Sequence, residues 1–165
     1  MSVTKKALKG FEINIRNEVP RSEVSEEGLV KVVTKILKDL GFKKAMISVL
    51  LVGGKKMRAL NQRYLKHAWS TDVLAFGQKK VTKTARLKQT ARPRGEEGFL
   101  GDIALCLPTI KDQAEEYGHS FSEELDYCLC HGILHLLGHE DKSRTGHKRM
   151  HQKQKQILKR ITPKA

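Results

Sequence analysis

Two histidines four residues apart, His131 and His135, sit in the segment HGILHLLGHED at residues 131–141. On a helix, side chains at that spacing share one face, so both imidazoles can grip one metal ion from the same side. Gly138 accepts the left-handed backbone of a helix C-terminus and can turn the chain back. Beyond the turn, Asp141 or His139 becomes available as a third ligand. Three protein ligands with a fourth position left to water mark a catalytic rather than a structural zinc site. One Zn2+ ion is therefore the expected cofactor.

The full pattern, HxxxHxxGxxD, has the spacing of the extended zinc motif of metzincin peptidases. Asp141 stands six residues after His135, where that motif places its last ligand. It is favoured over His139, which follows the glycine by only one residue. Gly132 argues against a metallopeptidase, because HExxH enzymes carry their general base at that position and glycine has none. Glu140 or Asp102 is the alternative source of a base. His147 and His151 repeat the four-residue spacing without a turn or third ligand, and are expected to be solvated or to face RNA.

The chain has 165 residues, 32 of them Lys or Arg against 18 acidic, for a formal net charge of +14. Such an excess favours a polyanionic partner, nucleic acid in particular. Cys106, Cys128 and Cys130 are odd in number and wrongly spaced for a disulfide framework, so they read as small core residues. The N-terminal MSVTKKALKG lacks an apolar signal core, and no apolar run approaches membrane-spanning length. A cytoplasmic protein without membrane association is expected.

The elements that must position these groups follow from periodicity. Phe11, Ile13 and Ile15 alternate with polar residues, predicting a strand. Leu29, Val33, Ile36, Leu37 and Leu40 predict a helix stopped by Gly41, with Ser22 or Ser25 as cap. Residues 45–52 (AMISVLLV) predict a strand covered on both faces. Gly53–Gly54 predicts a turn, Met57, Leu60 and Tyr64 a short helix, and residues 72–76 and 100–107 two strands. Pro108 predicts a helix start. Ser120 and Glu123 form a capping box ahead of the histidine helix. A basic helix is expected over about 143–161, with Met150, Ile157 and Ile161 as its apolar contacts. Between Gly77 and Gly98, seven basic residues (Lys79, Lys80, Lys83, Arg86, Lys88, Arg92, Arg94) and almost no large apolar side chain predict a mobile insertion that neutralises phosphates. The expected whole is one domain over residues 1–165, an α+β or α/β arrangement of one sheet layer with helices, carrying a zincin-like metal helix.

Three ordered blocks carry a family resemblance. They are Leu60, Asn61 and Tyr64 with Thr71–Leu74 and Phe76; then Leu100–Ile103; then the histidine segment. Together they resemble the YbeY family of zinc-dependent bacterial endoribonucleases, from about Val49 to Ile157. The resemblance implies a compact α+β fold with a central mixed sheet and the metal at the mouth of a basic cleft. It implies single-strand-specific endoribonuclease activity in ribosomal RNA maturation, 16S 3′-end processing in particular, and association with the small ribosomal subunit, with RNA as the partner and no DNA expected. Several positions depart from the family pattern: Asp141 stands for its third histidine, Glu140 for an aspartate, Leu65 for an arginine, Ser70 for a proline and Ala75 for a serine. Lys66, with His67 beside it, is expected to take the missing arginine's catalytic place. The basic arm and the last helix (Lys148, Arg149, Lys153, Lys155, Lys159) are expected to hold the RNA backbone, and Trp69 to stack on a base or pack at the rim. Asp72 and Asp102 are expected to orient backbone or histidine groups behind the metal. A catalytically impaired RNA- or ribosome-binding paralogue and a metallopeptidase are the competing readings.

Overall fold

The computed structural model describes residues 2–65, 71–77 and 98–162. Strand β1 (Ser2–Leu8) pairs antiparallel with β2 (Phe11–Asn17). Lys9 and Gly10 join them, both at positive φ (50° and 94°), as a two-residue hairpin turn requires. Helix α1 (Glu26–Asp39) starts at Ser25, whose hydroxyl accepts from the Gly28 N–H at 3.0 Å, and crosses to β3 (Ala45–Val52). Strand β3 lies parallel to β2. Helix α2 (Gly54–Leu65), strand β4 (Val73–Gly77) and strand β5 (Phe99–Cys106) follow. Strand β5 is parallel to β3 and antiparallel to β4, giving a mixed sheet in the order β1-β2-β3-β5-β4. Helices α3 (Leu107–Tyr117), α4 (Phe121–Leu136) and α5 (Arg144–Ile161) complete the described chain.

The two faces of the sheet are unequal. Phe11, Ile13 and Ile15 of β2, Ile47, Val49 and Leu51 of β3, and Ile103 and Leu105 of β5 all pack beneath α1, α3, α4 and α5. The opposite face carries a smaller cluster around Met57 of α2, with Val52, Leu74, Ala104 and Cys106. The alternating burial of β3 follows from this: Ala45, Ile47, Val49 and Leu51 are buried, whereas Met46, Ser48 and Leu50 are only half-buried. The expectation that both of its faces are covered is therefore corrected. Its apolar run reflects one deep face and one shallow one.

Helix α4, which runs through the core, opens on the anticipated capping box. The Ser120 hydroxyl accepts from the Glu123 N–H at 3.1 Å, and the Glu123 carboxylate accepts from the Ser120 N–H at 3.3 Å. Leu125, Cys128, Leu129, Ile133 and Leu136 bury its inner face. All three cysteines are buried and outside any disulfide, as the sequence indicated. At its other end, α5 is fastened to α1 by a two-pronged contact, Arg160 Nε and Nη2 each donating to an Asp39 carboxylate oxygen at 2.8 Å. No described helix is long and apolar enough to cross a membrane.

Candidate active site

The end of α4 makes the site. Gly138 has φ 91°, the His139 N–H reaches the Leu134 carbonyl at 3.0 Å, and the Gly138 N–H reaches the His135 carbonyl at 3.0 Å. Those two bonds are a Schellman motif, which ends the helix and reverses the chain. The reversal carries Asp141 back over the last turn. Its Oδ2 lies 3.4 Å from His131 Nε2 and its Oδ1 3.6 Å from His135 Nε2. The two Nε2 atoms are 2.9 Å apart, with the rings edge-on at 77°.

One donor atom from each of these three residues lies within 4.8 Å of the others, and this is the sole such group among the described residues. His139 is not part of it. Burial, followed by Lys153 and His135, pushes the His139 imidazole toward its neutral form. Burial also lowers His135, aided by His131 and opposed by Asp141. Two ring nitrogens and a carboxylate gather here, each offering one donor atom to a common point. A divalent ion satisfies that donor set, and the residues present fit one. Side-chain exposures of 23–31% leave the group open to a substrate.

The donors are braced from behind. His131 Nδ1 lies 3.2 Å from Gln154 Oε1, and Gln154 Nε2 donates to the Tyr127 carbonyl at 3.2 Å. The His135 ring also bonds the His139 backbone. The Tyr127 hydroxyl sits 2.6 Å from His151 Nδ1, so His151 is tied to α4 rather than simply solvated. Asp72 accepts from the Val73 N–H at 2.8 Å and lies 3.6 Å from Cys128 Sγ, at the wall of the groove that holds His131 and Asp141. That groove has a volume of about 1140 Å³, and His147, His151, Lys155 and Lys159 of α5 line its far side.

Sequence reasoning missed Gln154 and Tyr127. The available signal was a polar residue inside the α5 stripe otherwise formed by Met150, Ile157 and Ile161. The expectation for Asp102 is corrected. Ile103 faces α4, where a side chain at Gly132 would meet it, so alternation along β5 sends Asp102 to the other face of the sheet. There it lines a shallow groove with Tyr64, Phe76 and Ser48, away from the histidines, and burial raises its carboxyl. It can neither orient the histidines nor act as their base. Lys66, His67 and Trp69, and the arm residues Lys79, Lys80, Lys83, Arg86, Lys88, Arg92 and Arg94, lie outside the described residues.

Comparison with known proteins adds an independent line. The family model described as Endoribonuclease YbeY matches residues 14–162. A Bacillus cereus protein of that name is 36% identical over 115 residues, 69% of this chain and 71% of the relative. A Bacillus thuringiensis protein of the same name matches with the same identity and coverage. A solution structure of a Thermotoga maritima protein superposes with a TM-score of 0.61 at 29% identity, covering 90% of this chain and 88% of that one.

Proposed function

The chain belongs to the Endoribonuclease YbeY family, and on that premise we propose that it is a metal-dependent endoribonuclease cutting single-stranded RNA beside His131, His135 and Asp141. The observation that carries this reading is the convergence of two imidazole nitrogens and a carboxylate within 4.8 Å. Zinc is the proposed ion, because imidazole and carboxylate donors in a set of three suit it. His131 and His135 would hold it from α4, and Asp141 from the loop behind the helix. A zinc ion there supplies Lewis acidity toward water and toward a phosphoryl oxygen.

The chain's own residues supply the rest. Lys66 is proposed to offset the charge that builds on the phosphate, as a point charge without an arginine's fork. Lys155 and Lys159, which line the groove, and the basic arm from Lys79 to Arg94 are proposed to hold the RNA backbone. The net charge of +14 supports that assignment. Precursor ribosomal RNA, its 16S 3′ end in particular, is the proposed substrate, with the small ribosomal subunit as partner and the cytoplasm as the place. These last assignments rest on family membership.

The test compares wild type with His135→Ala, Asp141→Ala and His139→Ala for bound metal and for cleavage of labelled single-stranded RNA. Wild type and His139→Ala are expected to bind zinc stoichiometrically and to cut. His135→Ala and Asp141→Ala should lose both properties. Full zinc occupancy in Asp141→Ala would overturn the ligand set. Zinc-loaded wild type that binds RNA but leaves it intact would overturn the hydrolase reading in favour of an RNA-binding role.

A further inference from the structure

We infer that Gln154 is a positioning residue of this site, selecting the His131 tautomer that presents a bare Nε2 to the ion. The inference rests on the metal-binding reading above. Gln154 is 1% exposed, so no bulk water competes for its amide. One end of that amide faces the Tyr127 carbonyl at 3.2 Å, and a carbonyl only accepts. The NH2 group must therefore point there, because the reversed amide would set oxygen against oxygen. This fixes Oε1 at the other end, 3.2 Å from His131 Nδ1. Facing an acceptor, Nδ1 must carry the proton. A neutral imidazole has one N–H, so Nε2 is left with its lone pair, 3.4 Å from Asp141 and 2.9 Å from His135 Nε2.

On α4 itself, His131 meets only the His135 Nε2, at 2.9 Å, which can donate or accept and so leaves the choice to Gln154. Free histidine favours the proton on Nε2, the form that cannot ligate through that nitrogen. Gln154 reaches across from α5 and holds α4 at two successive turns, by the backbone of Tyr127 and the ring of His131. Met150 and Ile157, both buried, seat α5 on either side of it. Partners of this kind behind a metal-bound histidine contribute about 10–100-fold to metal affinity.

The test has three readouts on the full chain. Nitrogen NMR of the metal-free protein, above the imidazole titration, should show His131 with its proton on Nδ1. A proton on Nε2 in wild type overturns the proposal with no variant needed. Gln154→Leu should release the tautomer preference and weaken zinc, measured by chelator competition, about 10–100-fold. Gln154→Glu keeps an acceptor toward Nδ1 and should retain the Nδ1–H signal, while its second carboxylate oxygen, set against the Tyr127 carbonyl, lowers stability; a folded Gln154→Glu with the proton on Nε2 would overturn the proposal. A folded Gln154→Leu with wild-type tautomer and wild-type affinity would show that the side chain merely fills space. If wild type itself fails to bind zinc, the metal reading falls while the tautomer result still stands or falls alone.

Discussion

Adding one methyl group at Gly132 tests how tightly the histidine helix is seated. Gly132 follows His131 on the side of α4 that meets the sheet. A Cβ there would lie 3.0 Å from Cγ2 and 3.2 Å from Cδ1 of Ile103, and 3.1 Å from Cγ2 of Val73. Carbon pairs rest at about 3.5–4.0 Å, so Gly132→Ala must displace its neighbours by roughly half an ångström. Ile103 is fully buried and has little room to yield. Overpacking of this kind costs about 1–3 kcal/mol, and alanine returns about 1 kcal/mol of helix propensity. The expected net loss is about 1 kcal/mol, a fall in Tm of about 2–4 °C for a domain of this size. Denaturant unfolding with chelator present measures it without the contribution of bound metal. A gain of about 1 kcal/mol, the full propensity benefit with no steric cost, would refute the packing argument. The same geometry explains why a glutamate here would make no peptidase base: its side chain would start inside the sheet–helix contact, and Gly132→Glu should unfold the domain rather than confer peptidase activity.

Two further outcomes follow from the packing and charge of the core. Gly101 has φ 140°, and a Cβ there would strike the Phe76 carbonyl and come within 2.8 Å of Leu136 Cδ2. Gly101→Ala should cost about 3 kcal/mol or more and show as lost folded yield; a variant with wild-type Tm would contradict it. Burial raises the Asp126 carboxyl to about 6, opposed by Lys35. The folded state thus holds this proton more tightly than the unfolded chain, so the group's contribution is fully present below about pH 4 and is lost as pH rises through about 6. Fully shielded, that shift would be worth about 3 kcal/mol, and partial exposure reduces it to about 1 kcal/mol. Asp126→Asn should therefore exceed wild type in stability at pH 8 and match it at pH 4 in urea titrations. A difference independent of pH would sink that reasoning.

Much of the site could be read from local spacing, because its determinants are local. His131, His135, Gly138 and Asp141 lie within eleven residues, and the glycine turn that unites them is a property of one helix end. The Ser120–Glu123 cap was readable for the same reason. Gln154 was not, since its role exists only once α5 packs on α4. Asp102 was readable and misassigned: Gly101, Ile103 and Leu105 share one face by alternation, which leaves Asp102 on the other. Strand β1 escaped because its sequence, SVTKKAL, buries almost nothing and carries no apolar alternation; the Lys9–Gly10 turn before the Phe11–Ile15 pattern was its one signal.

That nearly unburied strand forms one rim of the sheet, and a rim of unpaired backbone groups is an invitation for other chains to add on. Lys5 and Lys6 stand in the middle of β1, and the opposite rim, β4, is only five residues long. Charge on one margin and brevity on the other are the means by which sheets resist stacking into fibrils. The two lysines guard the protein against its own copies, and their replacement by valine or threonine would expose a flat, sticky border while leaving the interior untouched.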